Sequence, residues 1–168
     1  MKKIKSNNIV AIIMDVPIQD PFFVTPDGGK RYQVFTETIT IKVPAERTNG
    51  SYSVFEIVSP PGGGAPPHIH DREDEMFYVL EGKFEFKCGE SVFKAEKGAL
   101  VTLPRKIPHD FRNIGNTPGK NLVILVPGGF EKAFEEISRL PPGPPDIEKV
   151  NSITNKYGVN FLPLPPPS

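Results

Sequence analysis

The chain has 168 residues, the length of about one domain, and 38 % of them are hydrophobic, which suffices for one buried core. Its 20 prolines and 15 glycines disfavour long helical bundles and indicate a folded, turn-rich protein. The 20 basic and 20 acidic residues balance, so the chain has no basic field that would attract nucleic acid.

A single cysteine, Cys88, excludes an intrachain disulfide and fits a reducing compartment. The basic start at residues 1–5 is similar to that of a signal peptide, but the apolar run 9–14 is only six residues long. A secretory core needs ~7–15 apolar residues and a membrane span needs ~20. We therefore predict a soluble cytoplasmic protein with no membrane association, a disordered tail at residues 1–8 and an early strand at residues 9–14.

Short apolar or alternating runs follow one another from residue 9 to about residue 126. In the run 37–43, Ile39, Ile41 and Val43 face one way and the polar side chains face the other, as in a half-buried strand. Further strands are predicted at residues 9–14, 51–58, 75–80, 84–88, 91–95, 99–103, 108–113 and 121–126. About nine such strands predict an all-β sandwich, jelly roll or barrel with antiparallel strands.

The pattern changes after residue 128, where four apolar side chains recur at the spacing of one helix face: Phe130, Ala133, Phe134 and Ile137. Pro141 ends this helix, and Asp146 is placed to cap a second short helix. We therefore predict that residues 128–168 form one or two short helices and a proline-rich tail, packed on a barrel of residues 9–127. The alternative is an arm that crosses to a second subunit.

All three histidines belong to one candidate site. His68 and His70 are separated by one residue, so on a strand both side chains leave the same face, with Cα atoms about 6.6 Å apart. Two imidazoles at that separation can bind one metal ion. Glu75 follows closely, and a sheet can bring in His109 from the distant predicted strand 108–113. We therefore predict that these four side chains bind one divalent ion.

The residues around these four side chains form two blocks of fixed spacing. The first block contains Gly62, His68, His70, Glu75 and Gly82, and the second contains Gly98, Pro104, His109 and Asn113. The two blocks resemble the two sequence motifs of the cupin family, which implies an antiparallel jelly-roll barrel and a metal held by three histidines and a glutamate. One position departs from the family pattern. Lys106 stands where the second motif usually has glycine, and a positive φ there costs a lysine about 1 kcal/mol or more.

Three groups near these motifs have structural interpretations. The run 62–64 is predicted to be a flexible loop at the mouth of the site, because neither a lysine nor a helix follows it as in a phosphate cradle. Asp71, Glu73 and Asp74 are predicted to form a solvated acidic turn rather than a calcium site. Cys88 alternates with two phenylalanines and is predicted to be a small buried hydrophobe rather than a nucleophile.

Three imidazoles and one carboxylate suit iron, nickel, manganese, cobalt or zinc, and the affinity order does not choose among them. Because side chains alternate along a strand, an inward Glu75 places Phe77 and Val79 inward as well. An inward His109 does the same for Phe111. These side chains predict an apolar, aromatic substrate pocket beside the metal, or else they simply fill a small barrel.

The opposite face of the predicted strand 75–80 is also apolar, because it presents Met76, Tyr78 and Leu80. Such a face needs cover, either from the C-terminal helices or from another subunit. Cupins commonly dimerise by packing of their sheets, so the resemblance implies a homodimer.

With every histidine assigned to the metal, none remains as a free general acid or base, which disfavours chemistry of the cupin sugar-epimerase kind. Proton transfer then falls to Glu75, to a metal-bound water or to a tyrosine such as Tyr32, Tyr52 or Tyr78. The runs 64–70, 73–82 and 126–131 are similar to those of single-domain quercetin 2,3-dioxygenase-like cupins. That similarity implies metal-dependent oxidative cleavage of a small aromatic or enol-type chelating substrate, with Glu75 accepting the hydroxyl proton. A non-redox lyase, decarboxylase or isomerase, and a binding or sensing protein without turnover, remain open alternatives.

Overall fold

A computed structural model describes residues 21–141 and 146–163 of the chain. Within those residues the chain forms eleven strands: β1 Lys30–Val34, β2 Glu37–Val43, β3 Ser53–Ser59, β4 Gly64–His70, β5 Asp74–Glu81, β6 Lys83–Cys88, β7 Ser91–Glu96, β8 Leu100–Leu103, β9 His109–Asn113, β10 Gly119–Val126 and β11 Val159–Phe161. Two helices, α1 Glu131–Ser138 and α2 Ile147–Lys156, lie between β10 and β11. The predicted tail 1–8, the predicted strand 9–14 and residues 164–168 lie outside the described residues.

The strands form two antiparallel sheets. A six-stranded sheet has the order β1-β2-β3-β10-β5-β8, and a five-stranded sheet has the order β11-β4-β9-β6-β7. Phe77 on the first sheet contacts Phe86 and Phe111 on the second, with ring centroids 5.0 Å apart in both pairs. The inner faces of the two sheets therefore share one core. The predicted all-β antiparallel jelly roll with short C-terminal helices is confirmed.

The core follows from the period-two pattern of the strands. In β3 every second residue is buried, and the same alternation runs the length of β10. The largest fully buried side chains include Phe55, Phe77, Phe84 and Phe86. Each fully buried phenylalanine contributes roughly 1.5–3 kcal/mol by leaving water. These rings fill much of the space between the sheets and hold the strands that carry the candidate site.

Three of the strands are absent from the sequence prediction, each for a physical reason. β4 contains Pro66 and Pro67, which cannot donate to a ladder, and its register with β9 shifts between Ala65 and His68 to accommodate them. β1 is a largely exposed edge strand in which only Val34 is buried. β11 has only three residues, too few to show a period.

The glycine run before β4 was predicted to be flexible, and that prediction is wrong. The amide of Gly62 donates to the carbonyl of Asn113 at 2.9 Å, and the amide of Asn113 donates to the carbonyl of Gly63 at 2.8 Å. A Cβ added at Gly64 would lie only 2.0 Å from the carbonyl oxygen of Phe111. The run is therefore a fixed turn in which glycine permits the close approach of β4 to β9.

The two helices form as the sequence predicts. Helix α1 buries Phe134 against Phe55, with ring centroids 5.2 Å apart in an edge-to-face arrangement. Asp146 caps α2, because its Oδ1 accepts a hydrogen bond of 3.1 Å from the amide of Lys149. Helix α1 packs mainly on β1, and α2 packs mainly on β11. Among the described residues, no helix has the length and hydropathy that a membrane span requires.

The outer face of the six-stranded sheet is apolar at the end formed by β5 and β8. Tyr78 on β5 is 40 % exposed, and Leu100, its partner on β8, is 63 % exposed. Met76 and Leu80 lie on the same face of β5 and are half-buried. The main contacts of both helices lie elsewhere, so this face is where the predicted homodimer would form.

Candidate metal centre

The four predicted ligands come from both sheets. His68 and His70 lie on β4, and His109 lies on β9 directly opposite His68 in the antiparallel ladder. Glu75 lies on β5 of the other sheet. Since side chains two apart leave the same face of a strand, both β4 histidines point into the interior, where the carboxylate of Glu75 meets them. The jelly roll thus unites residues that are up to 41 positions apart in the sequence.

The ligand atoms of these four residues all lie within 4.8 Å of one another, and all four side chains are buried. His109 Nε2 is 3.5 Å from Glu75 Oε2. His70 Nε2, His109 Nε2 and Glu75 Oε2 are buried without a hydrogen-bond partner among the described residues. Buried polar atoms are rarely left unpaired, and one cation would satisfy all three at once. The cluster therefore fits a divalent metal site.

The opposite ring nitrogens hold the three imidazoles in place. His68 Nδ1 donates to the carbonyl of Pro66, and His109 Nδ1 donates to the carbonyl of Ile107, each at 2.8 Å. His70 Nδ1 donates to the carboxylate Oε2 of Glu73 at 3.2 Å. A donor bond at Nδ1 fixes the tautomer that leaves Nε2 free to bind a metal. All three histidines are thus oriented as ligands.

Glu73 is a residue beside the cluster that the sequence prediction placed wrongly. It was expected in a solvated acidic turn, but its side chain is only 3 % exposed and it bonds His70. A usable signal was present, because the alternation that places Glu75 inward also places Glu73 inward. A buried carboxylate behind a ligand histidine raises the basicity of the ring and fixes its orientation.

The turn before His109 forms despite the departure at Lys106. Lys106 has a φ of 64°, the left-handed conformation in which glycine is normally preferred. Its amide donates to the carbonyl of His70 at 2.7 Å, which ties this turn to the end of β4. Arg105 also donates two side-chain hydrogen bonds to Asp74, at 3.0 and 2.7 Å, and they lower the pKa of Asp74 to about 2. Hydrogen bonds from the amide of Lys106 and from the side chain of Arg105 therefore hold this turn in place.

Two of the four ligands have the protonation states that metal binding needs, whereas the pKa of His109 is raised, because the nearby Glu75 carboxylate outweighs the effect of burial. Burial lowers the pKa of His68 to about 3, and the neighbouring His109 acts in the same direction. Burial alone would raise the pKa of Glu75, but the approach of His109 and the other imidazoles outweighs it and lowers that pKa. Around neutral pH, His68 is therefore neutral and Glu75 is ionised.

A cavity of about 70 Å³ opens beside His68, His70 and Glu75. Phe111, one of the three predicted pocket residues, lines it. Phe77 and Val79 are fully buried in the aromatic core instead, where Phe77 packs on Phe86 and Phe111. Most of the other lining side chains are apolar and come from β1, β2, β3, α1 and β11, among them Phe55, Phe130, Phe134, Ile137 and Phe161.

A second, outer groove lies next to this cavity. It has a volume of about 390 Å³ and apolar walls that include Ile147 and Val150 of α2. Phe35, Pro66 and Phe161 line both the groove and the inner cavity. These three side chains therefore form the wall between the outer groove and the candidate metal centre.

The other predicted candidates lie away from the cavity. Tyr32 donates to Glu135 at 3.1 Å, and Tyr52 and Tyr78 are exposed, so the tyrosines are not placed for proton transfer here. Cys88 is half-buried against the core, and burial raises the pKa of its thiol. One acidic residue that the sequence prediction missed, Glu37, does line the cavity.

The comparisons with known proteins agree with this geometry. The family model described as "Cupin domain" matches residues 55–125. Nectarin-1 from Nicotiana langsdorffii x Nicotiana sanderae is 31 % identical over 170 residues, covering 91 % of this chain and 72 % of that protein. The chain belongs to the cupin family. This cupin is also 35 % identical over 75 residues to the uncharacterized protein MJ1618 from Methanocaldococcus jannaschii.

Other relatives match this cupin over a smaller share of their length. The match to MJ1618 covers 45 % of this chain and 60 % of that protein. A probable germin-like protein from Arabidopsis thaliana is 36 % identical over 89 residues, which is 50 % of this chain and 41 % of that protein. The crystal structure of a predicted oxalate decarboxylase from Thermotoga maritima has a TM-score of 0.52 and 21 % identity, covering 54 % and 79 % of the two chains. That likeness bears on the fold alone.

Proposed function

We propose that this cupin binds one divalent transition-metal ion through His68, His70, Glu75 and His109 and acts as a dioxygenase on a small chelating enol. The observation that carries the proposal is the set of buried, unpartnered Nε2 and Oε2 atoms within 4.8 Å of one another, next to a cavity. When bound, such an ion supplies Lewis-acid or redox chemistry to the substrate.

The size of the cavity limits the substrate. The cavity has a volume of only about 70 Å³. Ligand pockets for drug-sized molecules measure ~300–1,000 Å³. A flavonol such as quercetin would fit only if Phe35, Pro66 and Phe161 moved and joined the cavity to the outer groove. A compact enol of a few heavy atoms therefore suits the site better than a flavonol.

Glu75 is the proposed proton acceptor. Its carboxylate is ionised around neutral pH and its Oε2 has no hydrogen-bond partner among the described residues. A substrate hydroxyl that reaches the cavity could therefore give its proton to the Glu75 carboxylate if the carboxylate loosens from the metal. The apolar rings of Phe130, Phe134 and Phe161 exclude water, which strengthens the interaction of Glu75 with the substrate.

A second candidate function is a non-redox decarboxylase or lyase for a compact carboxylic acid. The volume of the cavity favours it as much as it favours a small enol, because a short hydroxy acid or dicarboxylate is of similar size. A binding protein without turnover would need the same cluster and cavity, so turnover itself is what separates these functions.

The experiment begins with protein purified without chelator and loaded separately with iron, nickel, manganese, cobalt and zinc. Dioxygen uptake is then measured with acetylacetone as a compact enol and with quercetin as a flavonol. The proposal predicts uptake with the compact enol and little with quercetin. Uptake with quercetin alone would overturn the proposed substrate class. Anaerobic release of carbon dioxide from small hydroxy acids or dicarboxylates, without dioxygen uptake, would establish the second function instead.

A further inference from the structure

Glu37 is a buried carboxyl group that the four-residue metal cluster does not use. It begins β2, is only 5 % exposed and lines the same cavity as His68 and Glu75. Its Oε1 accepts a hydrogen bond of 2.9 Å from the hydroxyl of Thr36. Its Oε2 is buried and has no hydrogen-bond partner among the described residues.

The neighbourhood of Glu37 favours the neutral acid. Burial raises its pKa, although the Ser59 and Thr36 hydroxyls and the backbone of Gly64 act in the opposite direction. No lysine or arginine pairs with it among the ion pairs of the described residues. A buried carboxyl group without a cationic partner in a mostly apolar cavity is more stable with its proton than as an anion.

The absence of a side chain at Gly63 leaves space for the carboxyl group of Glu37. A Cβ added at Gly63 would lie 2.6 Å from Glu37 Oε1, so the glycine there lets the backbone approach the carboxyl. An unpaired buried polar group costs about 1–3 kcal/mol, and a purely structural position would be better served by an apolar side chain. A buried polar atom without a partner needs an explanation, and a role in binding supplies one.

We propose that Glu37 is a substrate-binding residue whose neutral carboxyl donates a hydrogen bond to a substrate oxygen that the metal cluster does not bind. This inference rests on the proposed function, and it narrows the substrate class. The preferred substrate would be a compact molecule with a chelating end and a further anionic or carbonyl oxygen. A small dicarboxylate or a keto acid has this chemistry, whereas a simple hydrocarbon enol lacks the second group.

The first test measures the protonation of Glu37 without any metal. Infrared spectra of the metal-free wild type and of Glu37→Gln are compared in the carbonyl region at pH 7. We expect the wild type to show the band of a protonated carboxylic acid that Glu37→Gln lacks. A difference spectrum that contains only carboxylate bands would overturn the inference, whatever the state of the metal site.

The second test measures binding of oxalate to zinc-loaded protein by calorimetry. Glu37→Gln keeps a hydrogen-bond donor and should bind oxalate within about threefold of the wild type, whereas Glu37→Met should bind about tenfold or more weakly. The exposed control Glu90→Met should bind like the wild type. Equal oxalate affinity in Glu37→Met and the wild type, at equal zinc content, would overturn the inference.

A structural role for Glu37 predicts the opposite effect on stability. If Glu37 serves binding, Glu37→Met removes an unpaired buried carboxyl, and its thermal midpoint should equal or exceed that of the wild type. A clearly lower midpoint would assign Glu37 to the support of the fold. A wild type that binds no metal would overturn the proposed function alone, because the infrared comparison tests Glu37 without metal.

Discussion

We expect the replacement of Glu73 to weaken metal binding, because Glu73 supports the ligand His70. Its carboxylate accepts the Nδ1 proton of His70 at 3.2 Å, and both side chains are almost wholly buried, at 3 % and 1 % exposure. Replacing Glu73 with leucine removes this acceptor while all four ligands stay in place. Loss of such a supporting group typically weakens metal affinity by about 10–100-fold, which corresponds to about 1.4–2.7 kcal/mol.

The assay is competition for zinc against a chelator of known affinity, with wild type, Glu73→Leu and Glu73→Gln. The glutamine variant keeps an acceptor oxygen but loses the charge, so its affinity should fall between the other two. Glu90→Leu is the control, because Glu90 is an exposed glutamate outside the cluster. Its zinc affinity should stay close to that of the wild type. Unchanged affinity in Glu73→Leu would refute the supporting role of Glu73.

Four further predictions follow from the same structure. Metal-saturated Glu75→Gln should lose about 10²–10⁴ in kcat if Glu75 is the base, and a near-normal kcat would rule that role out. The pKa of His68 lies at about 3 in the fold, whereas the pKa of a histidine in the unfolded chain is ~6.5. As the pH falls below ~6.5, the unfolded chain therefore takes up a proton that the fold does not. Denaturant unfolding should show the metal-free wild type losing up to about 1.4 kcal/mol of stability per pH unit relative to His68→Gln. Lys106→Gly should raise the free energy of unfolding by about 0.5–1 kcal/mol, since it relieves the left-handed strain, and a lower value would contradict this. Light scattering should give twice the chain mass at micromolar concentration, because the apolar sheet face needs cover, whereas the monomer mass would refute the predicted homodimer.

Much of the fold could be predicted because the inner strands alternate clearly. The predicted strand 37–43 matches β2, and the predicted strands 75–80 and 84–88 fall within β5 and β6. Alternation fails where a strand is mostly exposed or is interrupted. β4 carries two prolines at a shift of register, and β1 lies exposed at a sheet edge, so neither shows the period.

In the candidate site, too, some residues could be predicted from the sequence and others could not. Spacing and family resemblance identified the four residues of the cluster because ligand positions are fixed by chemistry. The supporting residues were missed because acidic side chains are usually exposed. The pattern nevertheless held a signal, since Glu37 shares the inward face of β2 with Ile39 and Ile41. The wall formed by Phe35 and Phe161 depends on contacts between distant segments, which no local pattern shows.

We infer that one divalent ion binds to His68, His70, Glu75 and His109. Elemental analysis of protein purified without chelator and then exposed to a divalent metal tests it most directly. We expect about one tightly held ion per chain in the wild type and in the exposed control Glu90→Ala, and almost none in the double variant His68→Ala, His70→Ala. Full metal content in the folded double variant, or a wild type that retains no metal, would contradict the claim.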